Sequence, residues 1–378
     1  MRSMPVMVVA LFAIVVAVRP AAAGPALLFD ASDGKVLYAE EMDDQWHPAS
    51  LTKIMTAYMA FKAIKAGKLH LDDKVICSDL ANKQPPSKIG LPVGGEMTVE
   101  LALQALIIKS ANDVAVMLAE KISGNEPQFV ADMNATARDL GMTRTTFANP
   151  NGLPAFNQVT TARDLAKLAR AVSAEFPQYA PYWAMTQMRI GKIRLASHNG
   201  LLKTFEGADG LKTGFICDSG FNVVASATRD GRRLMAVVLG EPSGGDRNIR
   251  AASLLEHGFQ QLGWKQLFNM TTIDNQPIAP DARGPISVRS TIQSWDCGNG
   301  RRNPAVEARR ERIKAAKAKR EKAKQAAVNQ KAETGTGEKP PATGTPAKKK
   351  PSAAGTPEAS VSTKPPSAPP ATAPAVQN

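Results

Sequence analysis

Two hairpin patterns enclose a long helical stretch, and that order constrains the fold more than any other feature of the chain. Ala26-Leu-Leu-Phe-Asp30 and Lys35-Val-Leu-Tyr-Ala39 flank Ala31-Ser-Asp-Gly34, a turn carrying Asp and Gly. Phe221-Asn-Val-Val-Ala-Ser-Ala-Thr228 and Arg233-Leu-Met-Ala-Val-Val-Leu239 flank Arg229-Asp-Gly-Arg232, a strong Asp-Gly hairpin signal. Between them, apolar residues recur at helical spacing over 51–66, 98–109, 111–122, 127–140 and 161–175, and a last helix is expected over about 247–262. Strands at both ends with helices between predict one α+β domain in which the terminal strands share an antiparallel sheet flanked by helices.

The flanks differ in kind from this body. Residues 1–23 read as a secretory signal peptide: Arg2, then an apolar run from Val6 to Val18, then Ala21-Ala22-Ala23. The run is shorter than the roughly 20 residues a membrane span needs. Export to the periplasm or cell envelope is the expectation, with the mature chain starting near Gly24. The body is expected over 24–265, with an unassigned connector over 266–302. Asn303-Pro304 opens a basic Ala/Lys/Arg helix over 303–332, and 333–378 is a Pro/Ala/Lys-rich segment that cannot bury a core and is expected to be disordered.

Charge follows the same division. The net charge of +13 suggests an anion-binding protein only if it is spread over the body. Residues 301–378 carry 17 Lys and Arg against 6 Asp and Glu, whereas 1–300 carry 30 against 28. The body is near neutral and the basic excess belongs to the tail. That tail suits weak, salt-dependent association with anionic envelope polymers or headgroups, and export argues against nucleic acid. Cys77, Cys217 and Cys297 are an odd number for an oxidising compartment; one pair can form, and the sequence does not choose which. The scattered His and Cys give no metal site, and no cofactor is implied.

The chemistry lies in three short motifs. In Ser50-Leu51-Thr52-Lys53, at the start of the first long helix, the spacing of three puts Lys53 on the same face as Ser50, where a neutral amine can take the hydroxyl proton. The helix N-terminus also directs N–H groups toward a forming oxyanion. Ser110-Ala111-Asn112 sits at a break between helices and offers a second hydroxyl and an amide. Lys212-Thr213-Gly214 lies on a strand, where Lys and Thr can bind a carboxylate and Gly admits a substrate backbone. Each alone is more economically an N-cap, a loop or a common tripeptide.

Together, in this order, the motifs match the signature set of penicillin-binding proteins and class A β-lactamases. The chain resembles the serine D-alanyl-D-alanine carboxypeptidases of peptidase family S11, with a β-lactamase/DD-peptidase-like fold. Pro48 to Lys53, Leu91-Pro-Val-Gly94, Thr146 to Pro154, Thr160 to Leu165, Asn199-Gly-Leu-Leu202, Asp209 to Gly214, Ser219-Gly-Phe-Asn222 and Val224-Ala-Ser-Ala227 also resemble that family, over about 26–262. The resemblance implies an acyl-enzyme on Ser50, with Lys53 as general base and Ser110, beside Lys212, relaying a proton to the departing D-Ala. It implies that Asn112 binds substrate or orients Lys53, and that the backbone N–H groups of Ser50 and Phe215 form an oxyanion hole. Thr213 and Arg247 would hold the terminal carboxylate, with Gly214 beside the substrate backbone. The implied substrate is a peptidoglycan stem peptide ending in D-Ala-D-Ala, with β-lactams as inhibitors.

His198 and Asp113 read as structural, Asp113 as a first-turn carboxylate. Many S11 members carry a β-rich second domain and an amphipathic anchor, for which this chain shows only the connector, basic helix and tail. A D,D-endopeptidase acting on cross-links is the nearest alternative. A β-lactamase lacks its Glu-x-x-x-Asn element here, and a non-catalytic envelope-binding protein would not need the full motif set.

Overall fold

In chain order the elements begin with β1 (Ala26–Asp30), β2 (Val36–Glu40), α1 (Thr52–Lys65), β3 (Lys74–Ile76), α2 (Asp79–Asn82) and β4 (Glu96–Thr98). Next come α3 (Val99–Gln104), α4 (Asn112–Ser123), α5 (Glu126–Asp139), α6 (Ala162–Glu175) and α7 (Ala180–Ala184). The last are β5 (Gln187–Ile190), β6 (Ile193–Ala196), α8 (Leu201–Thr204), β7 (Ala208–Ile216), β8 (Gly220–Arg229), β9 (Arg232–Glu241) and α9 (Gly244–Gln260). This computed structural model describes residues 24–261, 271–292 and Cys297, all within the unit Met1–Asn303. The expected signal peptide, basic helix and tail lie outside the described residues.

Five strands form an antiparallel sheet in the order β2-β1-β9-β8-β7. The N-terminal β1 pairs directly with β9, Leu28 opposite Ala236, so the terminal strands share the sheet as the sequence predicts. The strands are apolar on both faces because both are covered. Leu27, Phe29, Met235, Val237 and Leu239 enter a large core shared with Ile54 of α1, Val114 of α4 and Leu165 of α6. Their neighbours Leu28, Leu234, Ala236 and Val238 enter a smaller core with Ala251 and Leu255 of α9. A period of two thus distributes one run of apolar residues between two cores. Helix α9 lies so close that a Cβ on Gly258 would stand 2.7 Å from Leu234 Cδ1 and 2.9 Å from Leu28 Cδ2.

Helix α1 is apolar on nearly every side from Thr52 to Phe61, which makes it the central helix of the large core. The helix expected over 98–109 is present, α3 passing at Gln104 directly into a π-helical turn over Ala105–Lys109, and Ser110 at the expected break takes a left-handed conformation (φ 59°, ψ 40°) before α4 begins. Three-residue β3 and β4, and the short α2, α7 and α8, carry too little periodicity to be read from sequence. The β5–β6 hairpin does carry a signal, alternating Met188 and Ile190 with Ile193 and Leu195 around Gly191-Lys192.

The connector is the larger surprise. Residues 271–292 hold no helix or strand, yet Ile273, Val288, Ile292 and Cys297 join the large core. Much of the attachment runs through backbone atoms. Arg163 of α6, buried with Asp43, pairs with it in two parallel bonds, Nε to Oδ1 at 2.6 Å and Nη2 to Oδ2 at 2.8 Å. The rest of the guanidinium donates to the carbonyls of Ile273, Gln276 and Pro277. Farther along, Val288 N donates to Asp218 O, Ser287 and Arg289 bond the Asp218 carboxylate, and Cys297 is disulfide-bonded to Cys217. The pairing left open by the sequence is therefore Cys217–Cys297, and Cys77 is a buried free thiol.

Removing one partner of a buried ion pair strands the other's charge, at a cost of about 3–5 kcal/mol. Asp43→Ala is expected to lower the unfolding free energy by that amount in denaturant titration, with the amides of 273–279 losing hydrogen-exchange protection first.

Candidate active site

The site is built on a turn that other backbone segments grip. Ala49 has φ 48°, unusual for a residue with a side chain, and Ser50 sits in a 3-10 turn, Ala49–Leu51, that leads into α1. Two glycines hold this turn at contact distance. A Cβ on Gly152 (φ 84°) would lie 1.8 Å from Ala49 O, and one on Gly214 of β7 would lie 3.0–3.1 Å from Pro48 O, Ser50 N and Leu51 N. Side chains at these positions would push the loop and the strand away from Ser50. β7 is an edge strand, paired only with β8, so its other edge faces the cleft.

Lys53 lies one turn on from Ser50, 1% exposed. Its Nζ donates to Ser50 Oγ at 3.0 Å, to Asn112 Oδ1 at 2.8 Å and to Asn151 O at 2.5 Å. Burial, and secondarily the charge of Lys212, hold its pKa well below that of a free amine, with Asp113 pulling the other way. Asn112 is fixed in orientation because its Nδ2 donates to Pro85 O at 2.9 Å. Ser110 is buried, and its Oγ has no hydrogen-bond partner among the described residues. An orphaned buried hydroxyl of this kind is rare and costs about 1–3 kcal/mol, so its place in the cleft wall calls for a ligand or reaction partner.

Lys212 and Arg247 stand on the other side. Lys212 is buried, donates to Thr213 O at 3.1 Å, and is pulled down to a pKa of about 7 by burial and then by the charge of Arg247. Arg247, near the start of α9, is steadied by Asn248 Oδ1 (2.8 Å from Nη2) and His198 O (3.5 Å), and burial lowers its pKa to about 10. Among the described residues, no carboxylate forms an ion pair with Lys53, Lys212 or Arg247. Lys212 and Arg247, buried without paired carboxylates, make a local field that favours an anionic ligand.

Ser50, Ser110, Asn112, Thr213, Phe215 and Arg247 line one cleft of about 620 Å³, with Gly214 beside them and Lys53 and Lys212 behind the wall. His198 also borders it. Its pKa falls to about 4, through burial and then the charge of Lys212, so the ring is neutral at pH 7, and it makes no hydrogen bond to Ser50. Asp113 does more than sit in a first turn: its carboxylate accepts from Ile89 N and Gly90 N, tying down the loop whose Pro86 and Ser87 roof the cleft. The motifs did not single out Asn151 and Gly152, although Asn149-Pro-Asn-Gly152 carries a turn composition. Among the described residues, no cluster of His, Cys, Asp and Glu is suited to a metal ion.

Comparison with known proteins agrees with this geometry. Residues 14–243 match the family model described as D-alanyl-D-alanine carboxypeptidase, Peptidase_S11. The chain belongs to that family. It is 38% identical over 239 residues to D-alanyl-D-alanine carboxypeptidase DacA of Haemophilus influenzae, covering 62% of this chain and 61% of that one. It is 35% identical over 260 residues to DacF of Bacillus subtilis, covering 67% and 65%. Among solved structures it resembles penicillin binding protein 5 from Haemophilus influenzae (TM-score 0.61, 36% identity, 64% of this chain and 73% of that one). It also resembles the cefotaxime-bound penicillin-binding protein D2 from Listeria monocytogenes (TM-score 0.58, 30% identity, 63% and 97%). The fold is thus the β-lactamase-like fold of the penicillin-binding proteins. The matched region spans less than two thirds of the length of these two curated relatives.

Burying Lys212 without a counter-ion has a thermodynamic signature. Its pKa is lower in the folded chain than in the unfolded one, so the penalty is complete below about pH 7 and shrinks as pH rises toward 10.5, the range in which folding releases a proton. Lys212→Met is expected to raise Tm at pH 6.5, with the gain diminishing by pH 10. A Tm difference that stays constant with pH would show that the lysine is charged in the folded protein.

Proposed function

We propose that the protein is an exported serine D,D-carboxypeptidase that removes the terminal D-Ala from peptidoglycan stem pentapeptides and is acylated by β-lactams. The observation that carries this reading is the hydrogen bond between Ser50 Oγ and a buried lysine amine whose proton affinity is depressed. A serine hydroxyl needs a base, and a desolvated lysine can be one at neutral pH. The bound β-lactam of the Listeria relative is consistent with acylation of such a serine.

In this reaction the substrate's terminal carboxylate lies against Thr213 and Arg247, with Lys212 adding positive charge. Ser50 Oγ attacks the carbonyl between the two D-Ala residues while its proton passes to Lys53 Nζ. The oxyanion is held by the N–H groups of Ser50 and Phe215, which the close approach at Gly214 brings together, and such donors contribute several kcal/mol to transition-state stabilisation. Asn112 fixes Lys53 through its Oδ1. The C–N bond then breaks as the Ser110 hydroxyl passes its proton to the departing D-Ala nitrogen and is reprotonated by the proton that Lys53 took from Ser50. A water repeats the attack on the Ser50 ester and releases the tetrapeptide. His198 is no part of this sequence. The basic tail, on this reading, associates with anionic surfaces of the envelope and leaves the chemistry alone.

Ser50→Ala should abolish labelling by a fluorescent penicillin, and Lys53→Ala should slow it by about 10²–10⁴-fold. In the unaltered chain the rate should rise with pH and level off well below the pKa of a free amine. Continued labelling of Ser50→Ala at the same site would overturn the nucleophile assignment.

Substrate preference is settled by offering the purified protein a pentapeptide and cross-linked muropeptides side by side. Release of D-Ala alone is expected; cleavage of cross-links would make the protein an endopeptidase.

A further inference from the structure

The cleft does not end where the dipeptide ends. Thr213 and Arg247 mark the carboxylate end, Ser50 and Gly214 the scissile bond, and β7 then runs on through Phe215 to Ile216. At about 3.3 Å per residue, Ile216 lies some 7 Å beyond Gly214 along the strand, on the side away from the carboxylate end. Ile216 is shared with a second groove of about 390 Å³, walled by Pro154, Phe156 and Pro285, with His47, Asp218 and Ser287 between them. Leu153 of the cleft leads directly to Pro154 of the groove. The two depressions are therefore continuous through both β7 and the 149–156 loop.

The groove is a built feature. One wall is the connector, held there twice over. Ser287 Oγ and Arg289 donate to the Asp218 carboxylate while Val288 N donates to Asp218 O, and Cys217, the residue after Ile216, is bonded to Cys297. The other wall ends in Phe156, which is 97% exposed, and Ile286 beside Pro285 adds a half-exposed apolar residue. A large aromatic fully in water at the rim of a groove has no folding role. His47 adds a polar group: its Nδ1 faces Gln158 O at 2.9 Å, which leaves Nε2 for a ligand.

We infer that this groove, completed by the 285–289 connector, is a subsite for the residues of an extended peptide that lie N-terminal to the scissile D-Ala-D-Ala. The inference rests on the carboxypeptidase reading, because that reading fixes which end of the substrate lies at Arg247. The acyl portion leaves Ser50 along the exposed edge of β7, where main-chain pairing can hold it extended. From the third residue upstream it enters the groove, with Phe156 and the two prolines against its apolar surface and His47 Nε2 against a polar side chain. The groove gives specificity for a peptide longer than the minimal acyl-D-Ala-D-Ala, through contacts remote from the reacting bond.

Comparing kcat/KM for an N-acyl-D-Ala-D-Ala and for a stem pentapeptide, in Phe156→Ala and in His47→Gln, tests this. The unaltered chain should prefer the pentapeptide. Each variant should lose about fivefold on the pentapeptide, the scale of one aromatic or hydrogen-bonding contact, while keeping its rates on the short substrate and on fluorescent penicillin. Equal losses on both substrates, no loss on the pentapeptide, or no length preference in the unaltered chain would overturn the groove while leaving the peptidase reading intact. Failure of the unaltered chain to be acylated or to release D-Ala from either substrate would overturn the peptidase reading and the groove with it.

Discussion

An amine has to be kept out of water for this site to exist, and much of the architecture follows from that requirement. Lys53 stands in the first turn of a helix with almost no polar face, so water cannot reach its Nζ from the helix side. The remaining directions are closed by Asn112, the Asn151 carbonyl and Ser50 itself. Desolvation is the largest cause of its lowered proton affinity, ahead of the charge of Lys212. Exposing the amine would restore an ordinary lysine, and no adjustment of the hydroxyl would compensate.

Such burial costs free energy, and the cost is met by structure that is otherwise conventional. The sheet sits between two cores, and β1 closes against β9, so both ends of the described body are locked into one ladder. On that frame stand the features an unconstrained chain would avoid. Among them are the left-handed Ala49 and Ser110, the unpartnered Ser110 hydroxyl, and the buried Lys212 and Arg247 with no carboxylate paired to either. These lie at or next to one cleft. Their clustering separates function from packing more clearly than any single residue does, since strain and unpaired polarity are tolerated where they are used.

The hairpins, the shared sheet and the main helices were legible because each depends on a repeat the chain itself carries. So was the relation of Ser50 to Lys53, which needs only helical spacing. The sequence could not show how deeply Lys53 is buried, because its three contacts come from residues far along the chain. Nor could it show that the helix would end at Lys109 in a π-helical turn, or that Ser110 at the expected break would be left-handed. The connector was unreadable for a related reason: Arg163 holds it by the carbonyls of Ile273, Gln276 and Pro277, and a carbonyl has no sequence signature. The choice among three cysteines likewise depended on where the connector travels.

The position of that connector changes what the overall charge means. A net charge of +13 invites the idea of a basic surface, but most of the excess is carried by residues 301–378 of the sequence, and several bases within the described body are matched by acids. What acts locally is a small set of cations with no counter-ion, gathered at one end of a cleft. The opposite end holds the Asp218–Arg289 pair, the neutral contacts of Pro154 and Pro285, and the exposed ring of Phe156. A ligand with one terminal carboxylate and an extended peptide behind it matches that asymmetry from end to end. An anionic polymer of uniform charge does not, since beyond Ser50 it would meet largely apolar walls and a guanidinium already paired with Asp218.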